Sequence, residues 1–261
     1  MIGDPRGILY PARLPSFHRE PAPAPLAELV RWYWIPRWDL APGRTSRQQI
    51  LPFPAANLVV TPEGIALVGP ATGASHRDLR GRGWAVGALL RPAGLASLSP
   101  DPRRLRDTET PVDAPELHDA VRAAMDLPDE EAGRHAAVAA CSDWLVPRLV
   151  APDETGRLAN CMEDLVATDR DLVCVDQLAE RLGVGVRTVQ RLAARYVGLP
   201  PLALIRRYRL QEVAQRLRED AGLAIAQVAA ELGYADQAHL SADVKRVLGL
   251  SPSAFRRGSG E

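Results

Sequence analysis

Leu178-Ala179-Glu180-Arg181-Leu182-Gly183-Val184 and Val228-Ala229-Ala230-Glu231-Leu232-Gly233-Tyr234 repeat one pattern, fifty residues apart. Each is a short helix with one apolar face that stops at a glycine and leads into a second helical stretch. Glycine lacks a Cβ and so reaches the left-handed backbone that many helix termini need. Two helices joined by such a turn form a helix-turn-helix, whose second helix fits the major groove of DNA. Written twice, the pattern predicts a chain that grips two successive grooves.

In the first unit Asp176 falls in the opening turn, where a negative charge favours the helix N-terminus. Leu178, Ala179 and Leu182 make its inner face. The next helix is expected over 186–197, with Val189, Leu192, Ala193 and Tyr196 turned inward. Arg187, Gln190, Arg191 and Arg195 then fall outside. Arginine presents a planar fork that matches guanine O6 and N7, and glutamine can pair with adenine N6 and N7. A solvated arginine face is the competing reading of that stripe; the helix-glycine turn before it favours DNA.

The second unit repeats the inner face with Val228, Ala229 and Leu232, and Asp236 is placed to cap the following helix. Leu240, Val244, Val247 and Leu248 point inward, and Gln237, Ser241 and Lys245 outward beside Ala238 and Ala242. Only one outward group is cationic, and Asp243 stands nearby to repel phosphate, so less base readout is expected here. His239 is read as a packing or capping group. Between the units, 201–217 forms an amphipathic helix about 25–27 Å long, against roughly 34 Å between successive grooves. Arg206, Arg207 and Arg209 reach phosphates or brace the halves, and bracing is favoured for Arg209. Ser251 as N-cap and Pro252 at the first helical position open a last helix, closed by Phe255. Arg256 and Arg257 lie near its end, within range of phosphate.

Net charge over the 261 residues is zero, which alone argues against a DNA-binder. Its distribution reverses that argument, since basic residues exceed acidic ones from 172 onward and the reverse holds before. A hydrophobic content of 46% is enough to bury a real core.

Residues 172–257 resemble the DNA-binding module of the AraC/XylS family of transcription regulators. The resemblance rests on the two repeated segments, Arg187-Thr-Val-Gln-Arg191, Arg209-Leu210…Ala214…Leu217, Asp236-Gln-Ala-His-Leu-Ser241, Lys245 and Gly249…Ser251-Pro252…Phe255-Arg256. It implies two helix-turn-helix units joined by a helix. The DNA-contacting positions would be Arg187, Thr188, Gln190, Arg191 and Arg195 in the first unit, and Gln237, Ala238, Ser241 and Lys245 in the second. Ala242 stands where the family usually has arginine, and Gly185 where it usually has a serine cap. The implied function is sequence-specific transcription regulation, with double-stranded DNA, RNA polymerase, a small-molecule effector and a second copy of the chain as partners.

The N-terminal half reads differently. Strand patterns at 31–38, 48–53, 57–61, 65–68 and 84–90 are separated by proline and glycine turns, and predict a small β-barrel. Residues 1–25 are proline-rich and are expected to be extended on the surface. Helices are expected over 115–127, 129–149 and 153–168, as a connector and dimer contact or as part of a domain core. The fold class is α+β in three parts: a β-rich domain over 1–110, a helical connector over 111–170 and the double helix-turn-helix over 171–258. Tyr33-Trp34, Leu51-Pro52…Asn57-Leu58-Val59, Gly69-Pro70 and Gly87…Arg91-Pro92 resemble a cupin-like sensor domain. Trp34, in a cluster with three of the five tryptophans, and Arg91 are the candidates for holding an effector, Arg91 for an anionic one.

The alternative from another class is a cupin-like enzyme or ligand-binding protein whose DNA-binding module has weak activity. His18, His76, His118 and His135 are scattered without a His-x-His pair, and nothing marks a nucleophile elbow. No catalytic residue, metal site or cofactor is therefore expected, and the chain is not expected to be an enzyme. Cys141, Cys161 and Cys174 read as reduced thiols of a cytoplasmic protein. No apolar run approaches the roughly 20 residues needed to cross a bilayer.

Overall fold

The computed structural model describes residues 16–50, 53–220 and 222–258. The start of the proline-rich tract, Leu51-Pro52 of the cupin-like pattern and the side chain of Arg257 lie outside the described residues.

The N-terminal half is built on antiparallel strands: β1 (Ser16–Pro21), β2 (Val30–Asp39), β3 (Thr45–Ile50), β4 (Asn57–Thr61), β5 (Gly64–Val68), β6 (Ser75–Arg80), β7 (Arg82–Trp84), β8 (Val86–Leu90) and β9 (Glu109–Pro111). Seven of them form one sheet in the order β1-β2-β8-β4-β5-β9, with β7 also paired to β2, and β3 and β6 form a separate ribbon. In β2 the alternation buries Tyr33 and Ile35 on one face and leaves Trp34 half-buried on the other. β8, between β2 and β4, is buried along its whole length. The strands at 57–61 and 65–68 fall where the alternation put them.

Helices α1 (Pro92–Leu98), α2 (Pro115–Met125), α3 (Glu130–Leu145) and α4 (Glu154–Thr168) follow the strands. The stretch expected as one connector divides in two. Leu117, Val121 and Met125 of α2 and Ala137, Cys141 and Leu145 of α3 join the core beneath the sheet with Tyr33, Ile35, Leu58 and Val60. Tyr33 and Ser142 tie sheet to helix through a 2.9 Å hydroxyl hydrogen bond. By contrast Ala159, Met162, Val166 and Ala167 of α4 pack with the C-terminal helices.

That C-terminal region comprises α5 (Val175–Leu182), α6 (Val186–Leu192), α7 (Pro201–Glu219), α8 (Ile225–Glu231), α9 (Gln237–Leu248) and α10 (Pro252–Gly258). It has two hydrophobic clusters, and α7 serves both. Leu204, Ile205 and Tyr208 enter the first cluster with α4, α5 and α6. Leu210, Val213, Ala214 and Leu217 enter the second with α8, α9 and α10. At about 100° per residue these two sets lie roughly half a turn apart around the helix. The expected single apolar stripe is thus two half-length stripes on opposite faces, and each helix-turn-helix packs on its own side of one rod.

The two halves of the chain meet through buried polar contacts. Arg31 of β2 reaches Glu163 at 3.1 Å and Asp164 at 2.5 Å, and Tyr208 of α7 donates to the other oxygen of Glu163 at 2.8 Å. Burial disfavours the charge on Arg31, but Glu163, Tyr208 and Asp164 outweigh it and hold the guanidinium above its usual pKa. Asn160 accepts from Ala93 N at 3.1 Å and donates to Glu28 O at 2.7 Å. The Phe53 ring lies edge-on between Trp32 and Tyr208.

Glu163→Gln keeps the shape of this junction but removes its buried charge. Breaking a buried pair typically costs roughly 3–5 kcal/mol. Asp164 still faces Arg31, so a loss of about 2 kcal/mol is expected in urea unfolding monitored by tryptophan fluorescence. An unchanged midpoint would show that the pair contributes nothing net.

Candidate nucleic-acid interface

In the first unit α5 opens with Gln177 Oε1 accepting from Val173 N at 2.8 Å and Cys174 N at 3.2 Å, which satisfies two backbone donors at the helix start. Gly183 ends α5 at φ 65°, and Gly233 repeats that conformation at φ 66° after α8. At such angles a side chain would be strained, so both turns need the residue they have.

Val189 and Leu192 anchor α6 in the first cluster. Arg187, Gln190 and Arg191 are exposed, and Thr188 is half-buried. Among the described residues, none of the exposed three pairs with another side chain. The helix expected to run unbroken to 197 instead changes at Ala193, where Ala193–Val197 forms a π-helical turn. Such a turn holds more residues than an α-helical one, which takes Arg195 off the line of Arg187 and Arg191. Arg195 is exposed, with its guanidinium 5.4 Å from the centre of the Tyr196 ring.

In the second unit Asp236 caps α9 by accepting from His239 N at 2.7 Å. His239 takes the packing role read from the sequence: its ring meets Tyr234 edge-on at 5.2 Å. Gln237, Ala238, Ala242 and Lys245 are exposed, and Ser241 is half-buried. Asp243 departs from expectation. It does not stand among the outward groups to repel phosphate; it is 5% exposed, accepts from the Tyr234 hydroxyl at 3.1 Å and pairs with Arg246. Position 243 faces the helix core, where a carboxylate is tolerated because both partners reach it.

Other arginines of the region are occupied by the framework. Arg181 bonds Asp169 at 3.0 Å, Arg216 bonds Glu212 at 2.9 Å and Glu231, and Arg256 donates to Leu223 O at 2.8 Å. Arg256 is therefore a brace between α10 and the loop before α8, a different role from the phosphate contact its position suggests. Arg207 is buried, and Arg209 lies against the Tyr234 ring at 5.6 Å, the bracing position favoured for it. Burial pushes the pKa of both guanidiniums down.

The two effector candidates do not share a site. Trp34 donates to Asn57 Oδ1 at 2.9 Å in the middle of the sheet. Arg91 follows the far end of β8, is 19% exposed, and already pairs with Asp164 of α4. Its charge serves the junction between the halves. A cleft of about 370 Å³ lies elsewhere, between the end of α4 and the middle of α7, lined in part by Asp169, Arg170, Arg209 and Glu212. Among the described residues no three His, Cys, Asp or Glu side chains converge to hold a metal ion, and no helix is long and apolar enough to cross a membrane.

Residues 178–258 match the sequence family described as a helix-turn-helix domain. A protein from Streptomyces antibioticus named as an AraC-like transcription regulator is 34% identical over 116 residues, which cover 41% of this chain and 38% of that protein. Residues 178–258 thus carry a helix-turn-helix domain similar in sequence to that of AraC-like regulators. The transcriptional activator RhaS of Salmonella arizonae is 28% identical over 108 residues, with the same 41% and 38% coverage. The chain thus spans less than two-fifths of each of these relatives. Residues 18–110 match a domain of unknown function, DUF6597. Among solved structures, the C-terminal domain of AraT from Geobacillus stearothermophilus is 23% identical, with a TM-score of 0.37 over 41% of this chain and 88% of that one. ToxT from Vibrio cholerae is 11% identical, with a TM-score of 0.46 over 86% of this chain and 97% of that one.

Asp236→Ala removes the side-chain N-cap of α9. It is expected to cost about 1 kcal/mol, read as a lower midpoint in thermal unfolding. A midpoint equal to that of the unsubstituted protein would show that the cap is idle.

Proposed function

We propose that this protein is a sequence-specific DNA-binding transcription regulator and not an enzyme. In this reading α6 enters one major groove and α9 the next. Arg187, Gln190 and Arg191 read base edges in the first, and Thr188 and Arg195 contact the backbone beside it. Gln237, Ala238, Ser241 and Lys245 make a lighter contact in the second, with one cation and without the arginine that related modules carry at position 242. One observation supports this most: the arginines on the exposed side of α6 are unpaired among the described residues, whereas Arg181, Arg216, Arg246 and Arg256 are each held by a partner. Exposed forks without a partner are free to meet base edges and phosphates.

The N-terminal domain is assigned the regulatory role, through a small-molecule effector or a second copy of the chain. The Arg31–Glu163–Tyr208 junction supports that assignment, because through Glu163 of α4 it ties a sheet strand to the helix that carries both reading units. Contact with RNA polymerase and a cytoplasmic location follow from the same reading.

Selection from random DNA, followed by titrations at several salt concentrations, tests the proposal. Affinity should fall steeply with salt, with a slope of about 0.9 per neutralised phosphate. Arg191→Ala is expected to erase preference at one or two base pairs at a cost of about 1–3 kcal/mol. Lys245→Ala should weaken all sequences alike and reduce the salt slope by about 1. Identical base preferences for the unsubstituted protein and Arg191→Ala would remove the base-reading role of α6.

A further inference from the structure

Two adjoining loops of the N-terminal domain touch both helix-turn-helix units. The loop over 101–108 meets the first. Arg106 donates to Gly198 O, just past the π-helical turn that extends α6. Gly198 has φ 81°, and a Cβ there would fall 2.6 Å from Pro102 O, so the two backbones are in direct contact. The loop over 69–74 meets the second unit: Ala74 N donates to Val247 O of α9 at 2.9 Å, and Ala74 packs against the second hydrophobic cluster.

Asp107 clasps these loops together. Its carboxylate accepts from Thr72 N at 2.5 Å and from the Thr72 hydroxyl at 2.6 Å, and its own N donates to Pro70 O at 3.3 Å. Among the described residues Asp107 is the one non-glycine with positive φ, at 57°. A left-handed aspartate is disfavoured unless its surroundings hold it, and here the two Thr72 contacts do. Arg207 of α7 is buried within electrostatic reach of Asp107 and of Asp243 of α9, which favour its charge against the larger cost of burial. The clasp therefore joins a contact just past the π-helical turn after α6 to a contact at the end of α9.

We propose that Asp107 is a positioning residue for DNA recognition: by locking the 101–108 loop to the 69–74 loop, it fixes the separation of α6 and α9 and so sets the half-site spacing the protein accepts. Without the clasp, α7 remains the rod between the two units, and the loops add less to it. The loops stay joined at their roots, where Gly69 N donates to Thr108 O at 3.0 Å, but beyond that point each can move with its own unit, and neighbouring spacings come within range. The N-terminal domain thereby determines specificity without touching a base. This inference rests on the two-groove reading proposed above.

The test uses the full chain and a DNA library in which the two selected half-sites are separated by spacers of stepped length. The unsubstituted protein should prefer one spacing. Asp107→Ala and Thr72→Val should accept spacings one base pair longer and shorter, with the preference for the best spacing reduced roughly five-fold or more. Asp107→Asn should restore it in large part, because asparagine tolerates the left-handed backbone and can still bond Thr72. Both positions are exposed, and a thermal midpoint for each variant separates loss of fold from loss of spacing. Equal spacing profiles for the unsubstituted protein, Asp107→Ala and Thr72→Val would overturn the inference and leave the two-groove reading intact. A single half-site bound with no spacing preference by the unsubstituted protein would overturn both.

Discussion

The C-terminal half depends on one helix burying two opposite faces. α7 offers Leu204, Ile205 and Tyr208 to the first unit and, about half a turn around, Leu210, Val213, Ala214 and Leu217 to the second. A helix with one stripe would have collected both units on one side. A rod with two half-stripes gives each unit a core of its own and a fixed rotation about a common axis. Loss of helix between Tyr208 and Leu210 would remove the rod that the two cores share.

Charge is divided according to task. Arginines that build the frame are matched with acceptors: Arg31 with Glu163 and Asp164, Arg181 with Asp169, Arg216 with Glu212 and Glu231, Arg246 with Asp243. The arginines on the outer side of α6 are not. This distinction explains how a chain with no net charge can still present a cationic surface where it is needed. Arg91, which the N-terminal sequence pattern singles out, also belongs to the framework through its pair with Asp164. Its partner comes from α4, seventy-three residues along the chain.

Local features were the most legible in the sequence. Gly183 and Gly233 mark helix ends, Asp236 caps a helix, and the apolar spacing of Leu178, Val189, Val228 and Leu240 defines inner faces, all through contacts a few residues apart. Elements with weak patterning escaped. β6, Ser-His-Arg-Asp-Leu-Arg, is almost wholly exposed and has no alternation to detect, and β1 borders a proline-rich tract that reads as extended surface. α1 was hidden by its opening proline, Pro92, which also suits a turn. The π-helical turn at Ala193 has no sequence signature. The junction between the halves was illegible for another reason: Glu163 looks like any charge on a helix until Arg31, 132 residues away, is placed against it. Asp243 is illegible likewise, since its burial depends on Tyr234 and Arg246 reaching it together.

Hydroxyl-radical footprinting of the full chain on a DNA fragment it selects tests the central claim most directly. Two reading helices held on one rod should protect two patches on the same face of the duplex, centred about one helical turn, roughly 10.5 base pairs, apart. The patch under α6 should be the stronger. A single protected patch, or two patches on opposite faces of the duplex, would contradict it.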